Sequence, residues 1–263
     1  MLNKLLKYDL KWIYKLIIVF YILAFIFAIL TRIFGSINNS LLFTVLKNIT
    51  LSCCISMLVS ALINTITRSW IRFTRNLYKD ESYLTHTLPV SKFNIYTSKI
   101  LSSVIVATTT IVVSLICLFI CLYSKEFINV LRNFLNLTAI IYDTSVTSLL
   151  SVVALLILIE LIYILIIGDT GIILGHKKYT NKILYSFIYG FLMYIITAII
   201  MLLVIYVLGL FDSNIMNLIK TNDVININSI KLLIYFVITL YLIFTIIIYF
   251  IGLKSLQKGV NVE

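Results

Sequence analysis

The residue patterns typical of nucleotide hydrolysis and metal-dependent hydrolysis do not occur in this sequence of 263 residues. A phosphate-binding loop needs G-x-x-x-x-G-K-[ST], whose backbone N–H groups and Lys contact the phosphates, and no such run is present. The two histidines, His86 and His176, do not form H-E-x-x-H, so they do not predict a zinc hydrolase. No G-x-S-G run indicates an intramembrane serine protease. We therefore expect neither catalysis nor a bound cofactor in this chain.

Two aspartates sit in pairs, Tyr142-Asp143 and Gly168-Asp169, that are similar to the motifs of intramembrane aspartyl proteases. Those enzymes need their two carboxylates in contact. Here about 26 residues of helix, at about 1.5 Å per residue, would separate the carboxylates by roughly 39 Å. Ile166 also stands where the usual G-x-G-D motif has its first Gly. The sequence therefore argues against this protease class.

Four cysteines fall inside apolar stretches. Two of them are four residues apart and share a helix face, but no His lies at ligand spacing. We interpret all four as small packed side chains rather than as metal ligands or disulfides. They are Cys53, Cys54, Cys117 and Cys121.

Two sets of polar residues inside the apolar stretches are candidates for a cargo path. Glu160 is the only acidic residue well inside one of them, where a charge costs about 3 kcal/mol or more. It is interpreted either as a relay or cargo contact, or as a structural hydrogen-bonding group. The second set follows Asn48 at every fourth residue, and it marks either helix packing or a cargo path. Its members are Ser52, Ser56, Ser60 and Asn64.

The hydropathy pattern that must position these residues is that of an all-α integral membrane protein. Hydrophobic residues make up 62% of the chain and charged residues 12%, and the mean hydropathy is +1.11. Six apolar stretches reach the roughly 20 residues that cross a bilayer as helix. No polar block is large enough for a soluble domain, so we predict one transmembrane domain over 1–263. The stretches are 16–34, 41–67, 100–123, 141–168, 183–210 and 230–253.

The distribution of Lys and Arg predicts the orientation. With both termini in the cytoplasm, fifteen basic residues fall on the inner side and six on the outer side. The net charge of +11 is then explained by topology and by attraction to anionic lipid. We expect a multi-pass protein of the cell membrane that does not bind nucleic acid.

The first residues, about 2–15, predict an amphipathic helix in the inner headgroup layer. Lys4, Lys7, Lys11 and Lys15 fall within about 80° on a helix, with apolar side chains opposite. Asp9 points into the apolar face. Either it is exposed at the lipid interface, or it pairs with an Arg or Lys from the region 68–99.

Residues 68–99 form the longest polar interruption and predict a two-faced cytoplasmic loop between the second and third spans. One face carries Trp70, Phe73, Leu77, Leu84 and Leu88, and the other Arg68, Arg72, Arg75 and Lys79. Asp80, Glu81 and Ser82 are expected to break the helix, Pro89 to end its second piece, and Ser91 to cap the next helix.

Two short runs in this region resemble a known family. They are Glu81-Ser82-Tyr83-Leu84-Thr85-His86-Thr87-Leu88-Pro89-Val90-Ser91 and Ser98-Lys99-Ile100-Leu101. They resemble the loop between the second and third helices of permease subunits in type-2 ATP-binding-cassette exporters. The similarity is to the Firmicute kind linked to peptide export and antibiotic immunity. Ser82 and His86 depart from that pattern, which has Gly and an apolar residue there.

This resemblance implies a permease that works as a dimer, with a second copy or a related subunit, bound to two ATP-hydrolysing subunits. ATP and Mg²⁺ would belong to those partners, and the cargo would be amphipathic or lipophilic, such as a peptide or antimicrobial. The loop would supply a coupling helix that docks on the ATPase. Its residues would be Tyr78, Lys79, Asp80, Glu81, Tyr83, Leu84, Thr87, Leu88 and Pro89.

Two other functions remain open at this point. The chain could be a non-transporting membrane protein of signalling or immunity that binds a partner through the same loop. It could also be a lipid-modifying enzyme without a familiar motif.

Overall fold

The computed structural model describes residues 2–37, 40–79, 81–87, 89–212, 214–216 and 227–259, and no strand occurs within these ranges. They are helical almost throughout. The helices are α1 (Leu2–Ser36), α2 (Leu41–Tyr78), α3 (Ser82–Thr87), α4 (Lys92–Leu122), α5 (Lys125–Ile141), α6 (Val146–Gly175), α7 (Lys182–Phe211) and α8 (Ile227–Gln257).

Six of the described helices, namely α1, α2, α4, α6, α7 and α8, are long and apolar enough to cross a membrane. This confirms the prediction of an all-α multi-pass membrane protein. The span predicted at 141–168 begins instead at Val146, because Asp143 adopts a left-handed conformation and Ser145 caps the new helix. The cytoplasmic placement of the two termini stays a prediction.

The amphipathic segment predicted at 2–15 is the first part of α1 and not a separate helix. A helix of 35 residues is about 52 Å long, and the 38 residues of α2 reach about 57 Å, whereas the hydrocarbon layer is about 30 Å thick. Both helices are therefore longer than this layer is thick, and most of their charged residues lie in the first turns of α1 and the last turns of α2.

Two compact units make up the chain, Met1–Arg132 and Asn133–Glu263, and the single domain predicted over 1–263 stays a prediction. In the first unit, α1 packs against α2 and α4. The seam uses small side chains, which let helices approach closely in lipid. Its buried members are Ala24, Ala28, Cys54, Leu58, Cys117 and Cys121.

Hydroxyl groups link the three helices of this unit across the seam. The Thr110 hydroxyl of α4 bonds to Tyr21 of α1 at 2.6 Å and to Thr65 of α2 at 2.9 Å. Nearer the other end, Thr31 of α1 donates to Thr50 of α2 at 3.0 Å. Such bonds between helices are worth about 0.6 kcal/mol on average in membranes, so they align the helices more than they stabilise them.

In the second unit, α6 packs against α7 and α8, and glycines set the approach of α6 to α7. A Cβ on Gly171 would lie 2.8 Å from the Ser186 carbonyl oxygen and 2.9 Å from the Gly190 nitrogen. A Cβ on Gly175 would meet the backbone of Ser186. The two glycines are one turn apart, so the α6 backbone lies directly on α7 there.

We predict that Gly171→Ala lowers the stability of the second unit by about 1–3 kcal/mol, because backbone atoms of α7 must move to admit the methyl group. Gly190→Ala is the matched control at the same crossing, since its Cβ would meet Ile167 atoms only at 3.9 Å. Thermal unfolding of the purified protein, followed by size-exclusion chromatography, should show a lower midpoint for Gly171→Ala alone. Equal midpoints would contradict the close approach.

Candidate functional site

A cluster of buried charges lies where the first turns of α1 meet the α2–α4 connection. The Asp9 side chain is 1% exposed, and its carboxylate accepts hydrogen bonds from two cationic groups. Lys99 Nζ donates to Oδ1 at 2.6 Å and to Oδ2 at 2.7 Å, and Arg72 Nε donates to Oδ1 at 2.9 Å. Asn76 Nδ2 adds a longer contact at 3.4 Å. One carboxylate therefore joins α1, α2 and α4.

Arg72 extends this cluster to the residue that precedes α3. While its Nε faces Asp9, its Nη1 donates to Glu81 Oε1 at 2.9 Å and Oε2 at 2.7 Å. The charges alternate along the chain Lys99, Asp9, Arg72, Glu81, so they compensate one another. We call Asp9, Arg72, Asn76, Glu81 and Lys99 the Asp9 cluster.

The same helix faces that pack the apolar seam bring these charges together. On α1, Asp9 precedes the buried Ile13 and Ile17 at four-residue spacing, and on α4 Lys99 precedes the buried Ser103. Residues four apart share a helix face. Packing of the three helices along their spans therefore carries the charged side chains into one place.

Trp12 gathers three guanidinium groups beside the cluster. The Cζ atoms of Arg68, Arg72 and Arg75 lie 5.2, 5.4 and 5.8 Å from the centre of its indole ring. Cations within about 6 Å of an aromatic face are attracted by its quadrupole. The arginine line of α2 thus faces α1 instead of forming a free polar surface.

Burial makes the cluster sensitive to the loss of any one partner. Removing one member of a buried pair strands the other charge and costs about 3–5 kcal/mol. The Asp9–Lys99 pair is of this kind, since both side chains are almost fully buried. The Arg72–Glu81 pair contributes less, because the Glu81 side chain is 34% exposed and solvent screens it.

The short helix α3 is held against α2 on one side and exposed on the other. Ser82 and Thr85 are buried, and His86 Nε2 donates to the Leu77 carbonyl oxygen at 3.1 Å, which satisfies the end of α2. Tyr83 is 77% exposed and Leu84 68% exposed. We call the exposed side the α3 rim, which consists of Tyr83, Leu84, Thr87 and Pro89.

The predicted ends of the helices in this region are confirmed, but the predicted apolar docking face is wrong in part. The second helix ends at Tyr78, α3 ends at Thr87 before Pro89, and Ser91 caps α4. Phe73 and Leu77 lie in the core of the unit, because α2 continues as one packed helix up to this point. They cannot form a docking face together with Leu84.

The predicted coupling residues differ in where they lie. Tyr78 is 2% exposed, so it supports the loop from inside instead of offering a contact. Lys79 is half-buried, and Glu81 belongs to the Asp9 cluster. Asp80 and Leu88 lie outside the described residues.

None of the candidate cargo-path residues belongs to the Asp9 cluster. Ser52 and Ser56 are exposed and Ser60 and Asn64 half-buried, while the neighbouring Thr50, Cys54 and Thr65 make the contacts within the unit. Glu160 lies on the exposed side of α6. The roles of both sets stay predictions.

Sequence reasoning noticed Asp9 but missed Trp12 and the particular pairing with Arg72 and Lys99. An acidic residue inside an apolar helix face was the available signal, and of its two interpretations the pairing with loop cations is confirmed. Comparison of the chain with family models, curated proteins and solved structures finds no match.

We predict that Asp9→Leu lowers the free energy of unfolding by about 3–5 kcal/mol, because it leaves Lys99 as an unpaired buried charge. Lys99→Met should lower it by less, because Arg72 still pairs with Asp9. The double variant should lose less than the sum of the two, since neither charge remains. Denaturant unfolding of the four proteins measures this coupling directly. Lys11→Met, at an exposed position of α1, is the control and should be near neutral. Additive losses would contradict the pairing.

Proposed function

We propose that this chain is the membrane permease subunit of an ATP-driven exporter of the type-2 ATP-binding-cassette kind. The observation that carries the proposal is the Asp9 cluster, which connects the partly exposed α2–α4 connection to three long apolar helices at once. The loop is also the part of the chain that resembles such permeases. A separate ATPase subunit would dock on residues 68–99 through the α3 rim.

The contacts of the loop explain how motion could reach the membrane. A partner that moves α3 displaces Glu81, which holds Arg72, and Arg72 holds Asp9. Asp9 in turn holds Lys99 at the start of α4. Because packed helices shift as units between discrete arrangements, a displacement at α3 moves the adjoining ends of α1, α2 and α4 together.

The remaining parts of the proposal follow from the same reading. ATP and Mg²⁺ belong to the partner subunits, and a second copy or a related permease completes the transmembrane part in the cell membrane. The cargo is amphipathic or lipophilic, such as a peptide or an antimicrobial. The positive charge on the loop side, together with the lysines at the start of α1, attracts the headgroups of anionic lipids.

A second function fits the same exposed surface. A membrane protein of signalling or immunity could bind a partner through the α3 rim without moving cargo. The two functions differ in the partner, since only the exporter requires a subunit that hydrolyses ATP.

We predict that Tyr83→Asp and Leu84→Asp abolish co-purification with an ATPase subunit, because a carboxylate replaces an apolar contact at the centre of the α3 rim. The chain, purified from native membranes in mild detergent, is assayed for bound ATPase activity. Tyr179→Asp is the matched control, since Tyr179 is 92% exposed in the α6–α7 loop. Retention of ATPase activity by both rim variants would exclude this docking surface, and a non-hydrolysing partner would favour the second function.

We further predict that Glu81→Gln separates docking from coupling. The α3 rim is unchanged, so the ATPase should still bind, but the charge that holds Arg72 is gone. Hydrogen–deuterium exchange with a non-hydrolysable ATP analogue reports the difference without knowledge of the cargo. In the unmodified complex the nucleotide should alter exchange in α3 and at the start of α1, and in Glu81→Gln in α3 alone. Identical responses would contradict transmission through this residue.

A further inference from the structure

Helix α5 carries an exposed apolar ridge that no part of the proposed function uses. It consists of Val130, Phe134, Leu137 and Ile141, each between 55% and 66% exposed. At about 100° per residue the four side chains fall within roughly 60° of one another. We call them the α5 ridge. No helix was predicted between the spans at 100–123 and 141–168.

The charged and amide residues of α5 occupy a different face and are all exposed. They fall within about 120° of one another on the helix, and no apolar side chain except Ile140 lies among them. A helix with such a polar face cannot lie inside hydrocarbon, and its 17 residues, about 26 Å long, are too short to cross it. These residues are Lys125, Glu126, Asn129, Arg132, Asn133 and Asn136.

The helices before and after α5 in the sequence place it at a membrane surface. Only Tyr123 and Ser124 separate it from α4, and residues 142–145 separate it from α6, and both of those helices are candidate spans. Tyr residues stand at both ends, at Tyr123 and Tyr142, as is typical of the membrane–water interface.

Contacts within the first unit identify which surface this is. The Arg32 guanidinium, near the end of α1, donates to the Tyr123 carbonyl oxygen and lies 5.1 Å from the centre of its ring. The Asp9 cluster is at the opposite ends of α1 and α4. Helix α5 therefore starts at the surface opposite the candidate coupling site.

We propose that α5 is an interfacial helix whose ridge inserts into the lipid at this surface. The last turns of α4, which precede α5 in the chain, also expose apolar side chains, namely Ile116, Phe119 and Leu122. An apolar ridge that follows a candidate span closely and lies next to a face that needs water fits the boundary between headgroups and acyl chains. Helices of this kind insert about 5–10 Å into that boundary. The proposal does not depend on the partner or the cargo.

Tryptophan fluorescence tests the proposal in vesicles of phosphatidylcholine brominated in its acyl chains. Phe134→Trp places an indole in the ridge, and Asn136→Trp is the control on the polar face, about 160° away and at nearly the same height. The unmodified protein supplies the background, since Trp12 and Trp70 both lie near the Asp9 cluster. The emission added by each new indole is then measured.

We expect brominated lipid to quench the added emission of Phe134→Trp by about half or more, and aqueous iodide to quench mainly that of Asn136→Trp. If neither agent quenches Phe134→Trp, protein covers the ridge, as in an interface between two copies, and the proposal is overturned. If iodide quenches both variants equally, the ridge faces water, which overturns it as well. Should Phe134→Trp fail to fold, Val130→Trp with Asn129→Trp as its control repeats the comparison.

Discussion

The carboxylate of Asp9 can remain buried among three helices only while Lys99 and Arg72 hold it. Removing an ion from water costs several kcal/mol, and pairing repays this only in good geometry. The two cations come from different helices, so α1, α2 and α4 must keep a fixed register at this end of the unit. Apolar side chains of similar volume would stabilise the packing as well or better. What the charges add is one definite register of the three helices. Arg72 also bonds to Glu81, so the position of α3 is fixed relative to the same helices.

Three guanidinium groups around one indole would repel one another without nearby negative charge. Asp9 and Glu81 supply that charge from two directions, and both reach Arg72, the central one of the three. The flanking groups, Arg68 and Arg75, keep the ring of Trp12 between them and α1. These contacts hold the end of α2 against α1. This end lies outside the apolar stretch 41–67, so hydrophobic packing of the spans does not guide it there.

The sequence allowed the six spans, the breaks around α3 and the cap at Ser91 to be predicted, because length, Pro89 and capping chemistry are local. The register of α2 against α1 is not local. Arg72 was assigned to an open polar face, since its partner Asp9 lies 63 residues away in the sequence. Ser82 and His86 depart from the permease pattern that the loop resembles, and both occupy internal positions, since Ser82 is buried and His86 bonds to the Leu77 carbonyl oxygen. The helix α5 was not predicted because it is too short for a span, although its polar and apolar residues lie largely on different faces.

The two exposed apolar surfaces, the α3 rim and the α5 ridge, require different occupants because their surroundings differ. The rim belongs to a six-residue helix next to Lys79 and Glu81, a setting in which a protein partner can meet both apolar and charged groups. The ridge consists of four apolar side chains on a helix that connects two candidate spans, a setting that fits lipid. Under both proposals, α4 is moved at Lys99 and held near Leu122 by lipid around α5. A helix driven at one end and restrained at the other tilts instead of sliding, and this converts a displacement of the loop into a change of helix angle within the membrane.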